Sequence, residues 1–329
     1  MHIFELTRKL IEIESITENE KELAFFLRDY LSGLRYQVTL QEAAPDRLNV
    51  LALAGQPDLV FTTHLDTVPP HIPFSEDENH IYGRGACDAK GIIAAQVEAA
   101  ERLRASGETR IGLLFLVGEE RNSAGAIHAN SRPVGSRFYI DGEPTENKLA
   151  IGSKGSLRVE IIARGKAAHS AYPHMGESAI LKLLDILEEI RRMELPSDPV
   201  MGQTTCNIGI LEGGTRPNVI PDRARAEIMF RSVVPVEILK LKLTALVAER
   251  AELRFPFEVP ITMMNLRAGF ETTVVSFASD VPFLTNWGKP FLVGPGSILD
   301  AHTDHERISK KELLEGVEVY VRLARQLLD

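Results

Sequence analysis

The apolar positions of the chain follow two regimes that exchange near residue 153 and again near residue 260. Residues 1–34 predict two helices. In the second, Leu23, Phe26, Leu27, Leu31 and Leu34 form one apolar stripe, and Thr17 with Glu20 has capping-box spacing. Residues 48–54, 59–63, 111–117 and 138–140 are short apolar runs that predict strands. Between them, 91–106 predicts a helix with Ile93, Val97, Ala100 and Leu103 on its inner face. Near-continuous apolar strands interleaved with helices predict an α/β fold, a mixed, mostly parallel sheet with helices on both faces.

The second regime is alternating. Leu157, Val159 and Ile161 are interleaved with Arg158 and Glu160, and Ala224, Ile228 and Phe230 with Arg225, Glu227 and Arg231, as in a sheet with one wet face. A helix at 177–193 is expected to turn Ile180, Leu183, Leu184, Leu187 and Ile190 inward. The first regime then returns with an apolar strand at 291–293, a Gly-Pro-Gly turn and a terminal helix. That helix opens on a Ser309/Glu312 capping box and carries Val317, Val321, Ala324 and Leu328. The pattern predicts one domain, 1–153 plus 262–329, interrupted by an inserted α+β domain, 154–261.

Composition narrows the function. A chain of 329 residues suits about two domains. A net charge of −9 opposes a polyanion over most of the surface, so nucleic acid is not an expected partner. Two cysteines exclude a disulfide framework and a four-cysteine zinc site. No apolar run approaches the ~18 residues of a membrane span, and MHIFELTRKL has no signal-peptide core. No membrane association and a cytoplasmic address are therefore expected.

Polar clusters sit at the ends of the predicted strands, where open α/β sheets place their ligands. The first is His64-Leu65-Asp66, where period 2 puts both polar side chains on one side and Asp66 could hold the ring of His64. Alone, the pair also reads as a capped strand end. In the loop Gly83–Gly91, Asp88 alone reads as a helix cap. A phosphate loop is excluded there by the absence of GxxxxGK[ST], and Cys87 has no histidine signature to make it a nucleophile. Glu119 and Glu120 end an apolar strand, where two acids are costly unless something cationic meets them. Asp141-Gly142-Glu143 and Ala301-His302 complete the series. Jointly the clusters offer histidines and carboxylates at successive strand ends, a donor set suited to Zn²⁺, Co²⁺ or Mn²⁺, and a shared carboxylate would make a two-metal site.

This series resembles the M20 metallopeptidases, the group of acetylornithine deacetylase, succinyl-diaminopimelate desuccinylase and carboxypeptidase G2. The resemblance rests on His64-x-Asp66, Gly85-x-Cys87-Asp88-x-Lys90-Gly91, Gly118-Glu119-Glu120, Gly142-Glu143-Pro144-Thr145 and Ala301-His302. It implies a zinc-exopeptidase-like catalytic domain with an inserted lid and dimerisation domain, and two divalent metal ions per chain, Zn²⁺ first. Asp88 would bridge the ions, with His64 and Glu143 completing one site and Glu120 and His302 the other. Glu119 would be the general base, and Asp66 would orient His64. A cis peptide would follow Asp88. In the inserted domain, Gly165–Ser170 resembles the lid segment whose histidine, here His169, reaches an active site, in many members that of a partner subunit. Asn218 and Arg231 resemble positions that grip a substrate carboxylate; read from the pattern alone, Arg231 is one more charge on a wet sheet face. One departure is His305, which stands where the family usually has Asn or Asp.

The activity so implied is hydrolysis of an amide in an N-acyl amino acid, as by acetylornithine deacetylase, with a di- or tripeptidase or carboxypeptidase as the near alternative. A two-metal phosphoesterase lacks a cationic phosphate clamp in this sequence. A metal-dead dimeric scaffold is the alternative of another class, and the intact ligand set speaks against it. The expected partners are a small N-acylated amino acid or short peptide and a second copy of the chain.

Overall fold

Six strands build the main sheet: Gln37–Ala44 (β1), Arg47–Leu53 (β2), Leu59–His64 (β3), Ile111–Leu116 (β4), Phe138–Asp141 (β5) and Lys289–Leu292 (β6), in the order β1-β2-β4-β3-β5-β6. The computed structural model describes residues 1–329. β3 pairs in parallel with β4 and β5, and β5 with β6, while β1 and β2 form an antiparallel edge. β3 and β4 are buried at every position, which explains why neither carries a charged residue before the sheet's C-terminal end. Helices Ile3–Glu12 (α1), Lys21–Gly33 (α2), Lys90–Ala105 (α3), Ala124–Asn130 (α4) and Lys310–Leu328 (α5) cover the sheet: α3 and α5 pack on each other and on β3, and α2 and α4 pack on β1 and β2. The expected mixed, mostly parallel sheet is formed.

This sheet belongs to the first of two compact units, Met1–Ile151, Met264–Thr273 and Ser279–Asp329. The second comprises Gly152–Met263 and Val274–Ala278. Residues 274–278, expected in the first, join the second; there the Lys154 amide donates to the Val275 carbonyl at 3.0 Å. The second unit's sheet is antiparallel throughout, in the order Thr205–Gly213, Arg223–Ser232, Gly155–Arg164, Glu252–Val259. Helices Ala179–Arg192 and Val236–Val247 pack on it through Leu183, Leu187, Leu239 and Leu243. Leu184, expected inside, is exposed, and Ile186 takes the inner position instead. Positions 183, 186, 187 and 190 share one face at 100° per residue, and 184 falls off it. No helix is long and apolar enough to cross a membrane.

The two capping boxes turn out differently from their spacing. Thr17 does not cap α2: its hydroxyl donates to Asp66 Oδ2 at 2.8 Å, and Glu20 pairs with the buried Arg47. Ser309 does cap α5 through the Glu312 amide, but the Glu312 carboxylate accepts from the Gly296 amide at 2.9 Å instead of reaching back.

Because β3, β4 and β5 run in parallel, their C-terminal ends share one sheet edge. Asn49, fully buried on β2, ties that edge together: its Oδ1 accepts from the Val117 amide at 3.1 Å and its Nδ2 donates to the Gly125 carbonyl at 2.9 Å. Asn49→Ala would leave the buried Val117 amide without a partner. It is expected to cost about 1–3 kcal/mol, read as a lower urea midpoint at unchanged m-value; a variant as stable as the parent contradicts this role.

Candidate metal centre

Two groups of possible ligands converge at that edge, and they share one residue. His64, the last residue of β3, lies with Asp88 and Glu143; Asp88 also lies with Glu120 and His302. Within each group the ligand atoms are all within 4.8 Å of one another. The two oxygens of Asp88 point to different partners. Oδ1 is 2.9 Å from His64 Nε2, and Oδ2 is 3.3 Å from His302 Nε2, which also sits 2.9 Å from Glu120 Oε1. Asp88 lies in the turn that enters α3, Glu120 in the turn that leaves β4, and Glu143 two residues beyond β5. The Asp88–Ala89 peptide is cis. His302 takes a left-handed backbone, φ 61°, a strained conformation for a residue with a side chain.

One expected role is corrected. The Asp66 carboxylate does not hold the His64 ring. Nδ1 of His64 faces the Asp66 backbone carbonyl at 2.8 Å, while the nearer carboxylate oxygen is 3.8 Å away. The strand ends at His64, so period-2 geometry no longer governs Asp66, and its side chain turns into the neighbouring loop. There it accepts from the amides of Gly118 (2.8 Å), Glu119 (3.1 Å) and Glu120 (3.3 Å) as well as from Thr17. Gly118 sits at φ 85°, and a Cβ on it would come within 2.7 Å of Arg47 Nη2, so this turn requires glycine.

Burial and crowding set the proton affinities. Burial pushes the carboxyls of Glu119, Glu120 and Glu143 up. Asp88 adds to the upward push on all three, and Glu119 adds to that on Glu143. Burial also works to raise Asp88, but hydrogen bonds from His302 and His64 outweigh it and hold Asp88 low. His302 is pushed up to about 10 by its hydrogen bonds to Asp88 and Glu120. For His64, burial disfavours the imidazolium, yet the Asp88 hydrogen bond and the charges of Asp88, Glu119 and Glu143 carry its pKa well above the ordinary histidine range. Four carboxylates packed around two imidazoles form a site that favours positive charge. The oxygen and imidazole donors, with no thiolate among them, fit a pair of divalent cations.

The other expected site residues lie in the second unit. His169 is exposed, on the short strand Ala168–His169 that pairs with Val219–Ile220. The Ser170 amide donates to the Asn218 carbonyl at 3.0 Å, so Asn218 sits at the end of the small ladder that carries His169. Arg231, on the central strand Arg223–Ser232, donates to the Ser156 hydroxyl. His305 is exposed and belongs to neither ligand group. Three partners of the site have no role that the sequence assigns: Thr17, whose spacing suggests a helix cap, and the buried pair Arg84 and Glu306. The available signals for the last two were an arginine between Gly83 and Gly85 and an acid four residues after His302.

The chain matches the model of Peptidase family M20/M25/M40 over residues 60–326. It is 36% identical to a peptidase M20 domain-containing protein of Schizosaccharomyces pombe, covering 98% of this chain and 84% of that one. It is 37% identical to a probable carboxypeptidase of Aspergillus clavatus, covering 98% and 82%. Its fold is similar to that of a tripeptidase from Staphylococcus aureus, with a TM-score of 0.84 at 24% identity over 98% of each chain. The chain belongs to peptidase family M20/M25/M40 and is a metal-dependent hydrolase.

Proposed function

We propose that the chain cleaves the amide bond next to a free carboxylate in short peptides, as a carboxypeptidase or dipeptidase, with a pair of Zn²⁺ ions. The observation that carries this reading is Asp88, whose two oxygens face His64 and His302 separately. His64, Asp88 and Glu143 would hold one ion, and Asp88, Glu120 and His302 the other. When bound, such ions supply Lewis acidity and bring the pKa of water from ~15.7 toward ~7. Co²⁺ and Mn²⁺ suit the same donors.

The protein's own groups do the rest. Glu119 stands one residue from a ligand, and burial raises its proton affinity, which suits a base that must take a proton from water and return it to the leaving nitrogen. Asp66 holds the Glu119 amide and keeps the turn in place. His169 donates to the scissile carbonyl oxygen as charge builds there, and Asn218 and Arg231 grip the substrate carboxylate. The relatives named probable carboxypeptidases favour peptides. An N-acyl amino acid, as for acetylornithine deacetylase, presents the same carboxylate handle and is the second reading. A homodimer through the second unit is supported by its edge strand Thr205–Gly213, which leaves Ile210 and Leu211 exposed, and by the exposed Leu181 and Leu184 of helix Ala179–Arg192.

Glu119→Gln is expected to bind metal as the parent does while kcat falls about 100- to 10,000-fold; a fully active variant contradicts the base assignment. A panel of di- and tripeptides with free or amidated C-termini, run beside N-acetyl and N-succinyl amino acids, tests the substrate class. Free-carboxylate peptides should be cleaved, with amidation costing about 30-fold or more. Indifference to amidation would remove the carboxylate grip, and cleavage of only the acyl amino acids would select the second reading. Leu211→Asp should shift sedimentation from dimer to monomer; a parent chain that sediments as a monomer contradicts the dimer.

A further inference from the structure

We propose that Glu306, together with Arg84, is a positioning residue that folds the Asp88 turn and thereby sets the affinity of the metal centre. The proposal rests on the two-ion reading of that centre. Glu306 is 1% exposed and lies four residues beyond His302 in the same loop. Its Oε1 accepts from three backbone amides of the turn entering α3: Gly85 at 2.9 Å, Cys87 at 3.2 Å and Asp88 at 3.1 Å. Its Oε2 accepts from Arg84 Nη1 at 2.6 Å. Arg84, also 1% exposed, reaches the carbonyls of Thr303 (3.3 Å) and Pro70 (3.2 Å), and the Gly83 amide donates to the Glu306 carbonyl at 3.1 Å.

Three amides converge on one oxygen when the chain wraps around it, and a carboxylate is the stronger acceptor for that purpose. Burying a carboxylate beside Asp88 is costly, and the Arg84 guanidinium offsets the charge. The clamp fixes the Asp88 backbone, and with it the direction of the two oxygens that face His64 and His302. It also joins the Asp88 turn to the His302 loop through Arg84 and Thr303, so one side chain links two of the three ligands in the Asp88, Glu120, His302 group. Glu306 is not itself a ligand, because both of its oxygens are engaged by N–H donors. Asp66 does the same for the Gly118–Glu120 turn, which gives the centre two carboxylates that hold ligand-bearing turns from behind.

Glu306→Gln separates this role from general stabilisation. An amide keeps the volume, but whichever way it is turned its NH₂ group meets either Arg84 or the three amides, so one side of the clamp is lost. The test is Co²⁺ titration of the full chain after chelator treatment, followed by calorimetry and by the visible absorption of Co²⁺, with circular dichroism and Tm recorded on the same samples. Folded Glu306→Gln is expected to bind Co²⁺ about 10- to 100-fold more weakly in at least one site. Should that variant not fold, Arg84→Lys keeps the positive charge but has no second nitrogen to hold Glu306 and the Pro70 carbonyl together, and it is expected to weaken Co²⁺ about 10-fold. A folded variant that matches the parent in both affinities, even with a lowered Tm, overturns the proposal. A parent chain that takes up no Co²⁺ overturns the two-ion reading itself, and this inference with it.

Discussion

Four carboxylates crowded against two imidazoles at one sheet edge are the constraint on which the rest of the catalytic unit depends. Two unit charges ~4 Å apart repel by about 4 kcal/mol at an effective dielectric near 20, so Asp88, Glu119, Glu120 and Glu143 can share this space only where positive charge is concentrated as well. Asp88 is the pivot, because it belongs to both ligand groups and presents a different oxygen to each histidine. The upward push on the three glutamates and on both histidines expresses the same demand from its two sides: crowding disfavours the carboxylates' negative charge, and the carboxylates favour positive charge on the imidazoles.

Such a cluster needs rigid support, and every ligand sits at the end of an element or in a turn. Parallel strands bring three of those ends to one edge. The turns are then held by buried carboxylates that bond their backbone amides, Asp66 those of Gly118–Glu120 and Glu306 those of Gly85, Cys87 and Asp88. Each satisfies amides that would otherwise be buried without an acceptor, so folding of the turn and placement of the ligand are one event. Asn49 does similar work between Val117 and Gly125.

The central strands and their helices were legible in the sequence because burial on both faces leaves an apolar record, unbroken in β4 and interrupted only by Thr62 and Thr63 before His64 in β3. The edge strand β1 left no such record: Gln37, Thr39 and Gln41 alternate with Val38 and Leu40, a short period-2 signal that pairing with β2 completes. The ligand residues were legible as acids and histidines at strand ends. What each carboxylate touches was not. Thr17 and Glu20 had the spacing of a cap, yet both are drawn into tertiary partners, Asp66 and Arg47, whose sequence distance no local rule can see. Asp66 had the spacing to hold His64, but that inference extended the strand two residues past its end. Glu306 satisfies amides more than two hundred residues earlier in the chain, a relation that exists only once the sheet has formed.

The most direct measurement of the central claim is the anomalous difference map of crystals soaked in Zn²⁺, recorded on both sides of the zinc edge. The account predicts two peaks about 3.5–4 Å apart, one against Asp88 Oδ1, His64 and Glu143, the other against Asp88 Oδ2, Glu120 and His302. A single peak, or a pair that leaves Asp88 unshared, contradicts it.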